Sequence, residues 1–230
     1  MKEIRILHIF PKLLSLYGEY GNVAILTKTL TDCGYPVTVD TWDSGDLNLN
    51  SYDLVYVGSG TEDNLNEAVR RLKPYADEIR HCVESGILWL ATGNAMALFG
   101  RNGLGILPYD CVTETTARYM GDVLTEDCFG APLVGYINTG CRFEGIEMPL
   151  FRLRFGKKLN NSKGSGCDEG IQYHQFYGTQ LIGPVLVKNP HFLEKIASAI
   201  TGDEIRIGED TYLKKAYAVT LRELEKRANQ

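Results

Sequence analysis

Apolar residues fall into a repeating pattern in the first hundred positions. Residues 4–10 (IRILHIF), 37–42 (VTVDTW), 53–60 (DLVYVGSG) and 87–91 (ILWLA) read as strands. The third and fourth are nearly all apolar, as strands buried on both faces are. Between them the period lengthens to that of helices. One helix runs through 23–34 (VAILTKTLTDCG) and stops at Gly34; a second, long one starts at the N-cap-like Thr61-Glu62-Asp63 and runs to about Ser85. Alternating strand and helix signals predict a parallel sheet with helices on both faces.

Beyond residue 100 the pattern changes. The stretch 103–110 (GLGILPYD) is turn-like. Segments 121–127, 132–138, 151–156 and 170–181 alternate apolar and polar positions and predict antiparallel strands added to the parallel core. The small, polar run 161–170 (NSKGSGCDEG) predicts an exposed loop. Helices are expected at 189–200 and from about Glu209 onward. The last is amphipathic through Leu213, Ala216, Val219, Leu221 and Leu224, which suits packing on the sheet more simply than a partner interface. With no repeat or low-complexity tract, residues 1–230 are expected to form one domain.

Composition narrows the function classes. The chain has 230 residues, is 44% hydrophobic and carries a net charge of -5. An acidic balance speaks against bulk nucleic-acid binding. No apolar run is long enough to cross a bilayer, and the N-terminus reads as a strand with no signal-peptide h-region, so a cytoplasmic location without membrane insertion is expected. The six cysteines form no C-x-x-C pair and have no histidine at zinc spacing, and the four histidines are scattered, so no metal site is expected.

In open parallel sheets, ligands bind beyond the carboxyl ends of the strands. Here those ends are Phe10-Pro11, Gly58-Ser59-Gly60 and Thr92-Gly93-Asn94. The last joins a buried strand to a helix-like stretch closed by Gly100, a turn that lifts one side chain clear of the backbone and often carries a nucleophile.

Seven segments in order, LLSLYGEYGN (13–22), VGSGTED (57–63), ATGNAMALFG (91–100), GLGIL (103–107), RYMGD (118–122), VGYINTGCR (134–142) and YGTQLIGPVLVKNP (177–190), resemble the class I glutamine amidotransferases of the cobyric acid synthase type (CobB/CobQ-like). The likeness is greatest to the GatD-like amidotransferase subunits of lipid II isoglutaminyl synthase. The resemblance implies a flavodoxin-like α/β domain without a cofactor, which supplies ammonia to a Mur-ligase-like (MurT-like) partner amidating the peptidoglycan precursor. It further implies a cysteine at the elbow, a histidine on a later strand, and backbone N–H groups after the third strand as oxyanion donors. The chain departs from that pattern at both reacting positions. Thr92 stands in the cysteine position, and Ile182, within Leu-Ile-Gly-Pro, stands in the histidine position.

Each of these residues has a plainer reading. Thr92 suits an N-cap, and Ile182 suits a strand core. Gly58-Ser59-Gly60 serves either as an anion-binding nest or as a tight turn. Gly93 and Asn94 complete the elbow. Arg118 matches a family arginine near the glutamine carboxylate or the site entrance, or is a solvated surface residue. Tyr17, Gly21 and Asn22 match the loop before the first helix, where capping and packing are the simpler role. His174 precedes Ile182 by eight residues and is out of reach along an extended strand unless the chain folds back. Cys141, beside Arg142, is an alternative nucleophile without an evident base.

The expectation is therefore a glutaminase fold unable to hydrolyse glutamine, kept as a subunit of an amidating complex that binds glutamine or a related small amide. The alternatives are an active amidohydrolase using Thr92 or Cys141, a histidine supplied in trans by the partner, and a small-molecule sensor.

Overall fold

A computed structural model describes residues 2–113, 118–156, 160–161 and 168–230. Cys167 and most of the polar run 161–170 lie outside the described residues.

Strands β1 (Ile4–Ile9), β2 (Val37–Trp42), β3 (Leu54–Val57) and β4 (Leu88–Thr92) are parallel and lie side by side in the order β4-β3-β1-β2. All four residues of β3 and all five of β4 are buried. Helices α1 (Tyr20–Asp32), α2 (Glu62–Leu72) and α3 (Ala76–Glu84) connect them. The helix expected from Thr61 to about Ser85 is thus two. Pro74 lies in a 3-10 turn, Lys73–Tyr75, that separates them, since proline lacks the amide hydrogen an uninterrupted helix needs. The start is as expected: the Thr61 hydroxyl accepts from the Asn64 amide at 3.2 Å.

The second half builds β5 (Asp110–Thr113), β6 (Tyr119–Cys128), β7 (Ala131–Thr139), β8 (Cys141–Glu144), β9 (Phe151–Phe155), β10 (Asn160–Asn161) and β11 (Asp168–Glu169). They form two smaller sheets, β10-β8-β5 and β11-β9-β6-β7. The segment 170–181 differs from its expectation. It folds back on itself as β12 (Ile171–Tyr173) and β13 (Phe176–Thr179), with His174 at φ 49° in the turn. Strand β13 then joins the main sheet parallel to β4, extending it to β12-β13-β4-β3-β1-β2.

Helices α4 (Val185–Lys188), α5 (Pro190–Thr201) and α6 (Tyr212–Ala228) close the described chain. Leu224 of α6 buries itself against Leu124 and Val134, with Leu221 and Tyr217 beside it, so the amphipathic face packs on β6 and β7. Two larger cores flank the main sheet. One centres on Trp89, Phe99 and Phe176, the other on Tyr56, Tyr177 and Phe192. No helix among the described residues is long and apolar enough to cross a membrane.

Candidate functional site

The elbow forms where the sequence places it. Thr92 ends β4, opposite Thr179 of β13, and Gly93 turns at φ 62° into a 3-10 segment, Gly93–Leu98. A side chain at Gly93 would collide with Ser59 Oγ and come within 2.9 Å of Ile182 Cγ2. Glycine is required there for both conformation and space. The same contact places Ile182 directly over the elbow. Ile182 is held by its amide, which donates to the Tyr136 carbonyl at 2.9 Å. The two positions that would form the reacting pair are therefore side by side.

The glycine turn after β3 is stitched to the elbow. The Gly60 amide donates to Asn94 Oδ1 at 3.1 Å, and Asn94 Nδ2 returns a bond to the Gly60 carbonyl at 2.7 Å. Ser59 Oγ donates to the Thr92 carbonyl at 3.3 Å. A Cβ at Gly58 would lie 2.7 Å from the Leu14 carbonyl oxygen, so the loop after β1 presses on this turn. The Gly60 N–H, one of the oxyanion donors the resemblance implies, is already committed to Asn94.

Sequence reasoning passed over the residue at the centre of the site. Glu19 lies between the 3-10 turn Leu16–Gly18 and α1, and is fully buried. The Thr92 hydroxyl donates to its Oε2, Tyr56 donates to the same oxygen at 2.8 Å, and the Gly183 amide donates to Oε1 at 3.0 Å. Asn22 Nδ2 donates to the Tyr56 hydroxyl at 2.9 Å, and Asn22 Oδ1 accepts from the Leu186 amide. Thr92 makes no side-chain cap bond to its own helical turn. The N-cap reading of Thr92 thus gives way to a long-range one: its hydroxyl is spent on a carboxylate 73 positions away.

The electrostatics follow from burial. Loss of solvent raises the Glu19 pKa, and the Thr92, Tyr56 and Gly183 donors together with the nearby Lys188 ammonium act in the opposite direction. Burial, then the Glu19 charge, hold Tyr56 well above the ordinary tyrosine range, so it stays a donor. Thr92 is fully buried. His8 packs edge-on to the Tyr56 ring at 5.0 Å; burial lowers its pKa to about 4, so it is neutral, and its Nε2 has no hydrogen-bond partner. His174 does fold back, but to the opposite end of the sheet. It precedes Thr179, the neighbour of Thr92, by five residues along β13 and its turn, about 16 Å at strand rise.

At the rim, Arg118 donates to Asn138 Oδ1 and lies 3.5 Å from Glu62 Oε1, while Asn138 Nδ2 donates to the Tyr17 hydroxyl at 3.0 Å. Arg118 is exposed and tied to neighbours of its own chain. Cys141 is buried on β8, where the hydrogen-bond partners that set its titration are Cys111, Thr113 and Thr139. Among the described residues no group of three His, Cys, Asp or Glu side chains comes together as a metal site.

No family model matches the chain. It is similar to the lipid II isoglutaminyl synthase (glutamine-hydrolyzing) subunit GatD of Streptococcus pneumoniae, at 24% identity over 92% of this chain and 85% of that one. It is also similar to the GatD subunit of Staphylococcus aureus, at 29% identity over 82% of this chain and 81% of that one. Among solved structures, a glutamine amidotransferase from Thermotoga maritima superposes with a TM-score of 0.55 at 14% identity, covering 100% of this chain and 95% of that one. A chain of the PurLQS structure from the same organism gives 0.54 at 16%, covering 97% and 100%. Along most of its length the chain is thus similar to the GatD subunits, and its fold is that of the class I glutamine amidotransferases.

Proposed function

We propose that the chain is a GatD-type subunit that does not hydrolyse glutamine and acts by docking on a Mur-ligase-like synthase that amidates the peptidoglycan precursor. One observation carries this reading. The hydroxyl at the elbow is buried and donates to Glu19, and Ile182, beside Gly93, stands where the resemblance implies an imidazole. An unactivated threonine hydroxyl is a weak nucleophile that depends on a positioned base. The Glu19 carboxylate is the acceptor present, but enclosure of Thr92 leaves a substrate amide no approach to the pair. The same enclosure counts against an imidazole supplied in trans. Gly58, Ser59, Gly60, Gly93 and Asn94 then brace the turn, and the rim of exposed Tyr17 and Arg118 with half-buried Asn138 is left for a partner or a small amide.

The test is ammonia release from glutamine by the full chain, alone and mixed with the Mur-ligase-like synthase of the same organism. The expected result is co-elution of the two proteins, no release above background, and amidation of lipid II that runs on ammonium but not on glutamine. Glutamine-dependent ammonia release abolished by Thr92→Val or by Cys141→Ser overturns the reading and identifies the nucleophile.

A further inference from the structure

Cys111 and Cys141 lie on the antiparallel pair β5/β8, away from the elbow. Thr113 faces Cys141 and Cys111 faces Phe143. Facing residues share one side of a ribbon, and so do residues two apart along a strand. The two thiols are therefore diagonal neighbours on one face, and each is the largest influence on the other's titration. Both residues line a cavity of about 340 Å³, together with Glu62, Asn66, Leu98 and Asn102. Cys111 is partly exposed there and Cys141 is 8% exposed, and both are free thiols.

We propose that Cys111 and Cys141 form a peroxide-reactive dithiol site, with Cys141 as the attacking sulfur and Cys111 as the resolving one. Hydrogen bonds from Cys111, Thr113 and Thr139 lower the Cys141 pKa, while burial and the Glu62 charge act against them. Cys111 is raised, chiefly by the same shared hydrogen bond, and keeps its proton. Burial pushes Cys82 up to about 11, and at half-buried Cys128 it outweighs the hydrogen bonds with Thr125 and Leu133, so both thiols are raised. In the first step the Cys141 thiolate attacks one oxygen of hydrogen peroxide. The O–O bond breaks, Cys141 becomes a sulfenic acid, and hydroxide leaves to take up a proton as water. In the second step the Cys111 sulfur attacks the Cys141 sulfur and the S–O bond breaks. The hydroxyl leaves with the Cys111 proton as water, and the S–S bond forms. Two thiols supply the two electrons that reduce the peroxide.

Hydrogen peroxide added to the reduced full chain provides the test. The expected result is loss of two of the six thiols, and a peptide map joining Cys111 to Cys141. In Cys111→Ser, Cys141 should accumulate as a sulfenic acid trapped by dimedone. In Cys141→Ser, thiol loss should slow about tenfold or more. Cys111→Ala and Cys141→Ala repeat the test should either serine variant fail to fold. A cross-link between other cysteines, first oxidation elsewhere, or a dimedone-silent Cys141 in a folded Cys111 variant overturns the proposal.

Discussion

Glu169 offers a quantitative check on the scaffold beside the elbow. Its carboxylate is fully buried and accepts from Thr179 Oγ1 at 2.8 Å and the Gln180 amide at 2.6 Å, anchoring the strand end that neighbours Thr92. Burial outweighs these donors and raises its pKa from the ordinary 4.5 to about 7. A raised carboxyl pKa means that the folded state holds the proton more tightly than the unfolded one. The favourable contribution is fully present below pH 4.5 and is lost as pH rises through 7. The full shift corresponds to roughly 3 kcal/mol, most of which falls between pH 5 and pH 8. Two histidines titrate in the opposite sense. Burial lowers the pKa values of His8 and His191 from 6.5 to about 4, so they favour folding more as pH rises from 4 to 6.5. The wild-type profile mixes these terms. The difference between wild type and Glu169→Gln isolates one of them, because the histidines contribute to both proteins. Urea unfolding across pH 5 to 8 should show the variant gaining roughly 2 to 3 kcal/mol on wild type over that range. A pH-independent difference would refute the assignment of Glu169 as a buried acid protonated near neutrality.

Two further substitutions probe the elbow. Gly93→Ala should cost at least about 2 kcal/mol in urea unfolding, because a Cβ meets Ser59 Oγ and Ile182 at a positive φ; a wild-type midpoint would contradict the packing described. Thr92→Val removes one donor to the buried Glu19 and should lower stability by about 2 kcal/mol without altering glutamine turnover, as read from parallel melts and ammonia assays.

The parts of this fold that rest on local pattern are legible in the sequence. Apolar runs announced β1 to β4, and the Thr92-Gly93 turn announced the elbow. Pro74 was also a visible signal, and the helix it interrupts should have been divided there. The turn at His174 carries neither glycine nor proline, so nothing local marked the reversal that sends β13 into the main sheet. Glu19 was hidden for a different reason. In LYGEYG it reads as a solvated loop acid, and its burial depends on partners 37, 73 and 164 positions distant. Side chains satisfied only by long-range contacts leave no periodic trace.

On the non-hydrolytic reading proposed above, the carboxylate under the elbow also bears on how a reacting pair could be rebuilt. Restoring cysteine at position 92 would put a thiol beside a buried anion, and a neighbouring negative charge holds a thiol in its unreactive protonated form. Restoring histidine at position 182 alone would set an imidazole over a hydroxyl that already has an acceptor. On that reading neither single step gains activity, and the first deprives Glu19 of a strong donor. Rebuilding the pair thus involves at least three positions, 92, 182 and 19, and the residue that blocks the route lies outside the pair itself.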